Sequence, residues 1–343
     1  MWYSVLDKLA IDGLSYNFLP SWWHKNYGLT FGRRFVFDPD YRVELHRFMA
    51  RTVYERFPSL HIGLKDPEPQ VILPDFGNAI TAAAAGCEVA YPEDNYPWNQ
   101  HIPMEKAREL TVPPDLMTVF PYSEIASQVA YLNRKLGRDT PVYWNQRGVL
   151  NDAALIGGPA FMEEFGAHTD DAEKLIAYSN GMLTAVTRAD GELFHLKDDV
   201  MLANCTVMMV SPHTYETRLV QYDEAMYRLV TGQGRKLALH HCGSFERYAT
   251  IYRRIPALVW VEIGWGSDIR LTLDLFPEAI VSSILSAVFV STATRQEVHD
   301  KILSILETAR GDWHRFRLTM PDIEAGTPDE NLIEIHEVCK TVR

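Results

Sequence analysis

The segment KLALHHCGSFERYATIYRRIPALVWVEI, residues 236–263, has the pattern of a strand, a helix and a second strand. Its ends, KLALH (236–240) and LVWVEI (258–263), are short apolar runs, and residues 244–254 between them show helical spacing. Strands that alternate with helices in this way are usually parallel and buried on both faces. The segment therefore predicts one β/α unit of an α/β fold.

The same alternation extends in both directions along the chain. Helical patterns fall at 41–57, 149–166, 170–187, 214–231 and 294–309, and the last of these opens with a capping-box sequence. With about eight apolar runs in total, we expect a closed (β/α)8 TIM barrel rather than an open doubly wound sheet. The other runs are QVILP (70–74), PVYWN (141–145), ELFHL (192–196), TVMMVS (206–211), AIVSSI (279–284) and FRLTM (316–320). Of these, TVMMVS also fits a loop.

We expect two parts, an N-terminal helical and aromatic extension over residues 1–66 that packs on the barrel and a catalytic barrel domain over residues 67–343. The extension contains SWWHKNYG (21–28), which is dense in aromatic residues. Clustered aromatic side chains serve equally as a packed cap and as a lid over an active site. Both interpretations of this segment stay open.

Composition excludes several classes of function. The 343 residues are 47% hydrophobic and carry a formal net charge of −12, with no basic run that would attract nucleic acid or anionic lipid. The four cysteines form no CxxC pair, which favours a reducing compartment. No GxGxxG or Walker A motif is present, and neither a signal peptide nor a membrane-spanning run is expected. The expectation is a cytoplasmic protein.

Polar residues follow several of the apolar runs. Because the active site of a barrel lies at the carboxyl ends of its strands, we expect these residues to converge there. Taken singly, each is explained as well by a helix cap or a turn. The residues are Asp75, Asn78, Asn145, Asp199, His240, Cys242, Glu262 and Asp322.

His240 and Cys242 form the sharpest motif among them. Side chains two positions apart on a strand point to the same side, and imidazole and thiolate are both good zinc ligands. A structural histidine beside a buried cysteine gives the same pattern. Glu262, at the next strand end, is an expected oxygen ligand, and with Asp199 it is also a candidate acid or base. Three protein ligands and an open fourth position would make the site catalytic.

LALHHCGSFERY (237–248) resembles the zinc segment of the uroporphyrinogen-decarboxylase-like superfamily, in its branch of corrinoid methyltransferases. The family pattern His-x-Cys-Gly matches His240 and Cys242 as ligands, and Glu262 matches a glutamate that some members add. LKDDVMLANCTVMMVSPHTYE (196–216) and GTPDENLIEI (326–335) are similar to two further family blocks, so the resemblance spans about residues 67–343.

The resemblance implies a zinc-dependent methyltransferase that moves a methyl group between a small substrate and a corrinoid (cobalamin). A thiol is a substrate of this kind. The aromatic residues of segment 21–28 could instead wall a pocket for an aryl methyl ether, which would suit O-demethylation. The corrinoid would be carried by a separate partner protein, because the chain lacks the Asp-x-His-x-x-Gly pattern of a corrinoid-binding segment. We expect the substrate pocket to be lined by Trp22, Trp23, His24, Asp75, Asn78 and Asn145.

The chain departs from the family at two places. Relatives often carry a cysteine ligand shortly before Gly-Thr-Pro, where this chain reads MPDIEAGTP, so Asp322 is the expected substitute. The arginine-rich motif that grips tetrapyrrole carboxylates is also missing. A decarboxylase without metal is therefore the less favoured alternative. A non-catalytic relative that binds a partner is the third interpretation.

Overall fold

The structure, a computed structural model, describes residues 14–67, 76, 79–137, 146–193 and 200–342. The strands in these ranges are short, and most are followed by a helix. They are β1 (Leu14–Phe18), β2 (Val89–Ala90), β3 (Trp98–Asn99), β4 (Gln146–Arg147), β5 (Val200–Ala203), β6 (Leu237–His241), β7 (Trp260–Ile263), β8 (Ile280–Ile284) and β9 (Phe316–Ile323).

The helices cover the outside of the sheet and the amino-terminal part of the chain. They are α1 (Pro20–Tyr27), α2 (Arg33–Phe37), α3 (Pro39–Arg56), α4 (Ile80–Ala84), α5 (Tyr122–Leu136), α6 (Val149–Ala167), α7 (Asp170–Leu193), α8 (Pro212–Thr214), α9 (Val220–Gly232), α10 (Ala249–Tyr252), α11 (Ile269–Leu275), α12 (Ala287–Thr292), α13 (Arg295–Thr308) and α14 (Asp329–Val342). A π-helical turn, Tyr215–Leu219, joins α8 to α9, and short 3-10 helices cover Met104–Glu109, Leu116–Thr118, Thr206–Met209 and Phe245–Arg247.

Seven of the described strands form one sheet in the order β1-β9-β8-β7-β6-β5-β4, and all its pairs are parallel. From β5 to β9 the strands follow one another in sequence and in space, and helices connect each to the next. This is the repeating unit of a TIM-type barrel. Within the described ranges the sheet is an open part of such a barrel, with β1 and β4 at its edges.

Four predicted strands are confirmed as β6 to β9, and the capping box of α13 is present at Thr294 and Glu297. The run ELFHL is not a strand at its start, because α7 continues through Leu193, and the rest of the run lies outside the described residues. The next described strand is β5. TVMMVS contains a 3-10 helix, the loop alternative. QVILP and PVYWN lie outside the described residues, so a closed eight-stranded ring stays a prediction.

The described part of the predicted extension does more than cover the barrel. Its first described strand, β1, pairs with β9, Leu14 lying opposite Leu318, so it forms an edge of the main sheet. The division at residue 66 stays a prediction. No described helix has both the length and the apolar character needed to cross a membrane.

Candidate metal centre

Strand register brings the candidate ligands together. Ala203 of β5 pairs with His240 of β6, and His240 pairs with Glu262 of β7. Cys205 lies two residues beyond Ala203, and Cys242 lies two residues beyond His240. Because parallel strands end at the same edge, the two thiols leave the sheet side by side.

Three donor atoms form a compact group at this edge. The sulfur of Cys205 lies 2.8 Å from the sulfur of Cys242, which lies 2.7 Å from Nε2 of His240. All three atoms are within 4.8 Å of one another. His240 is buried, Cys205 is half-buried and Cys242 is exposed. The group therefore faces the protein on one side and is accessible on the other.

Glu262 touches the far side of the imidazole rather than the two sulfurs. Its Oε2 lies 2.5 Å from Nδ1 of His240, and both residues are only 1% exposed. An ionised carboxylate only accepts hydrogen bonds, so Nδ1 carries a proton and donates it. This contact turns Nε2 towards the thiols. A carboxylate behind a histidine is the arrangement that orients the imidazole in many metal sites.

The three groups also perturb one another's protonation. The hydrogen bond with Cys242 is the main reason that the pKa of Cys205 is lowered to about 4, and it raises the pKa of Cys242. Burial opposes a charge on His240, but hydrogen bonds with Cys205 and Glu262 outweigh it and raise the pKa of His240 to about 10. The low pKa of Cys205 favours its thiolate form, which is the form of cysteine that binds metal.

The donor set fits zinc. Two thiolates and one imidazole nitrogen are ligands that zinc prefers, at distances of about 2.0–2.3 Å. Donor atoms of one tetrahedral zinc ion lie about 3.5–3.8 Å apart, so the two contacts of 2.7 and 2.8 Å in this group would widen by about 1 Å around an ion. In the part of the chain that the structure describes, no other group of histidine, cysteine or acidic side chains has this spacing.

Backbone packing leaves little freedom at Cys242. A Cβ atom on Gly264, just after β7, would lie 1.9 Å from the carbonyl oxygen of Cys242. Only glycine permits so close an approach of these two backbone segments. The loop after β7 therefore supports the loop that carries Cys242.

Asp322 lies outside the group of three donors. Desolvation is the main cause that raises its pKa, and the charges of His240 and Glu262 also act on it, so it is in their neighbourhood. The structure thus brings His240 and Cys242 together with Cys205, which the sequence did not single out. It places Glu262 behind the histidine and leaves Asp322 nearby.

The other predicted site residues are placed differently. Trp22 and Trp23 are almost fully buried and pack against Phe18 and each other, with ring centroids 4.6–5.9 Å apart. Nδ1 of His24 lies 2.9 Å from the Leu29 carbonyl oxygen. The packing fits the cap interpretation, and the role of this segment in substrate binding stays a prediction. Asp75, Asn78, Asn145 and Asp199 lie outside the described residues.

Comparisons with known proteins support the fold. No family model and no curated protein sequence matches the chain. Its structure is similar to that of a methyltransferase from Methanosarcina mazei, with a TM-score of 0.67 and 15% sequence identity over 97% of this chain and 94% of that chain. At this identity, the likeness shows a shared α/β architecture over nearly the full length of both chains.

Proposed function

We propose that this chain is a zinc-dependent methyltransferase, with its metal centre at the carboxyl ends of β5 and β6. The observation that carries the proposal is the group of Cys205, His240 and Cys242, three zinc donors on one accessible edge of a parallel sheet. The likeness in fold to a methyltransferase supports the reaction class. The closed barrel predicted from the sequence belongs to the same proposal.

Cys205 takes the place of the third ligand that the sequence analysis sought at Asp322. Its sulfur is within bonding range of an ion shared with Cys242, and its pKa is already low. Glu262 accepts the hydrogen bond from Nδ1 of His240, so that Nε2 is the nitrogen that faces the metal and releases its own proton when the metal binds. With three protein donors, one coordination position stays available to a substrate, as in catalytic zinc sites.

Zinc bound at this position would lower the pKa of a thiol or phenol that it binds. The chain's own contribution is to present that substrate on the accessible side of Cys242. Asp322, which is near His240, and Asp199 are the proposed groups for proton transfer and substrate orientation. Asp75, Asn78 and Asn145 are the proposed polar lining of the pocket.

The other carrier of the methyl group, in this proposal, is a corrinoid on a separate protein. The accessible edge of the sheet, where the three donors lie, is where such a partner would approach. Of the two substrate classes, the thiol follows from the resemblance described above and the aryl methyl ether from the aromatic residues of segment 21–28. The packed position of Trp22 and Trp23 favours the thiol, because these indoles are not free to wall a pocket.

Metal analysis and a transfer assay test the proposal together. Purified protein is expected to hold about one zinc per chain. It is also expected to transfer a methyl group from free methylcobalamin to 2-mercaptoethanol, detected as the thioether by mass spectrometry. Cys242→Ala should abolish both properties, whereas Cys339→Ala, a buried cysteine on α14, should preserve both. Zinc-free wild-type protein that remains folded would contradict the metal centre.

A further inference from the structure

A buried polar network lies directly behind the three donors. Oδ2 of Asp223 accepts hydrogen bonds from Nδ2 of Asn204 and from the hydroxyl of Tyr215, each 2.6 Å long. The side chains of Asp223, Asn204 and Tyr215 are at most 4% exposed. A carboxylate that is removed from water must be compensated by such bonds, which makes the position of each partner costly to change.

The π-helical turn between α8 and α9 makes this contact geometrically feasible. Tyr215 and Asp223 are eight residues apart, and in a regular α-helix they would point about 80° away from each other. One extra residue in a π turn reduces that offset to about 20° and puts both side chains on one face. That face packs against the sheet, where Asn204 follows β5.

The network reaches both loops that carry the thiols. Asn204 immediately precedes Cys205, and its backbone N–H donates to the carbonyl of His240 over 2.8 Å. On the other strand, Nδ1 of His241 lies 3.1 Å from the hydroxyl of Tyr252, whose side chain also interacts with Asn204 and Tyr215. His241 sits between His240 and Cys242 in sequence. One connected set of buried side chains therefore holds the residues next to Cys205 and Cys242.

The amide of Asn204 is confined from the opposite side as well. Gly148 lies so close that a Cβ atom there would be 1.7 Å from Oδ1 of Asn204. Asn204 therefore has little room to rotate, and its direction is set by the bond to Asp223. A change in that bond is transmitted to the adjacent Cys205.

We propose that Asp223 is a positioning residue for the metal centre: through Asn204 it fixes where the sulfur of Cys205 stands relative to that of Cys242. The proposal rests on the zinc site proposed above. Asp223 touches neither metal nor substrate. It acts on metal affinity and on ligand geometry, whereas a merely structural acid would act on stability alone.

The test measures metal binding in three variants beside the wild-type protein. Asp223→Ala removes the acceptor of both bonds and is expected to weaken zinc affinity about 10- to 100-fold, the usual range for groups that support metal ligands. Asp223→Asn keeps an oxygen acceptor and should restore most of the affinity. Glu224→Ala, the matched control, removes a neighbouring carboxylate that pairs with Arg254 at the surface and should leave affinity unchanged.

Two readouts separate the possible outcomes. Zinc affinity is measured by competition with a chelating dye, and the visible absorption of Co²⁺-loaded protein reports ligand geometry; we expect a shifted spectrum in Asp223→Ala. An Asp223→Ala protein with lower stability but wild-type affinity and spectrum would overturn the positioning role. If that variant does not fold, Tyr215→Phe replaces it, with a smaller loss of affinity expected and wild-type affinity as the refuting result. Wild-type protein that binds neither metal would instead refute the proposed function.

Discussion

The Cys205→Ala variant should lose most of its zinc affinity while it keeps its fold. Zinc-finger sites bind zinc with about 10–16 kcal/mol over four ligands, or about 3 kcal/mol for each ligand, so losing one donor should weaken binding about 100- to 1,000-fold. Cys205 is only half-buried and is not part of the hydrophobic core. The free energy of unfolding, measured without metal, should therefore change by less than about 1 kcal/mol.

Competition with a chelating dye measures the affinity, and thermal unfolding of the metal-free protein measures the stability. Two controls separate the alternatives. Cys87→Ala removes a buried cysteine of high pKa that lies away from the group and should leave zinc binding unchanged. Asp322→Asn tests the ligand expected from the sequence and should change affinity less than tenfold. Wild-type affinity in Cys205→Ala, with a large loss in Asp322→Asn, would refute the assignment of Cys205.

Further predictions concern the groups around the centre. Glu262→Gln should weaken zinc binding about 10-fold, because the charged acceptor behind His240 is lost. Competition with a chelating dye measures this loss, and an unchanged affinity would argue against the orienting role of Glu262. Gly264→Ala should also lower the zinc content, because the added Cβ atom would displace the backbone of Cys242. Elemental analysis measures the zinc content, and full occupancy in this variant would contradict the prediction. Burial, opposed by the charge of Arg147, raises the pKa of Asp152 to about 6. The folded protein then binds more protons than the unfolded chain between about pH 4 and 6, so stability should fall by about 3 kcal/mol as the pH rises through that window. Denaturant unfolding at each pH should show this loss in the wild-type protein but not in Asp152→Asn, and equal pH profiles would refute it.

The repeating units of the fold could be predicted because periodicity is a local property. Residues 236–263 contain two apolar runs around a helical pattern, and the structure has β6, α10 and β7 there. The amino-terminal strand β1 was not predicted, because LSYNF resembles many loop segments until it pairs with β9, about 300 residues away in sequence. Long-range pairing of this kind leaves no local signal.

The proposed metal ligands show the same division. His240 and Cys242 were predicted because they lie two positions apart at one strand end, which is a recognisable spacing. Cys205 was missed because the preceding strand was assigned to ELFHL at 192–196, which put Cys205 too far from a strand end. With β5 at 200–203, the cysteine falls two residues past the strand, like Cys242 after His240. Because this strand was assigned too early in the sequence, Cys205 was not recognised as the third donor.

The polar network behind the site had no sequence signal at all. Asp223 lies in the first turn of α9, where an acidic residue is most simply explained by the helix dipole and by exposure to solvent. Its burial depends on the π turn that rotates it towards the sheet. A single inserted residue in a helix is decided by tertiary packing, and helical periodicity cannot reveal it.

The zinc K-edge X-ray absorption of the loaded wild-type protein tests the central claim most directly. The donors assigned here predict two sulfur ligands at about 2.3 Å and one imidazole nitrogen at about 2.0 Å, with the remaining position filled by a light atom. Cys205→Ala should show one sulfur only. A wild-type spectrum with a single sulfur, or protein that takes up no zinc while folded, would contradict a centre built from Cys205, His240 and Cys242.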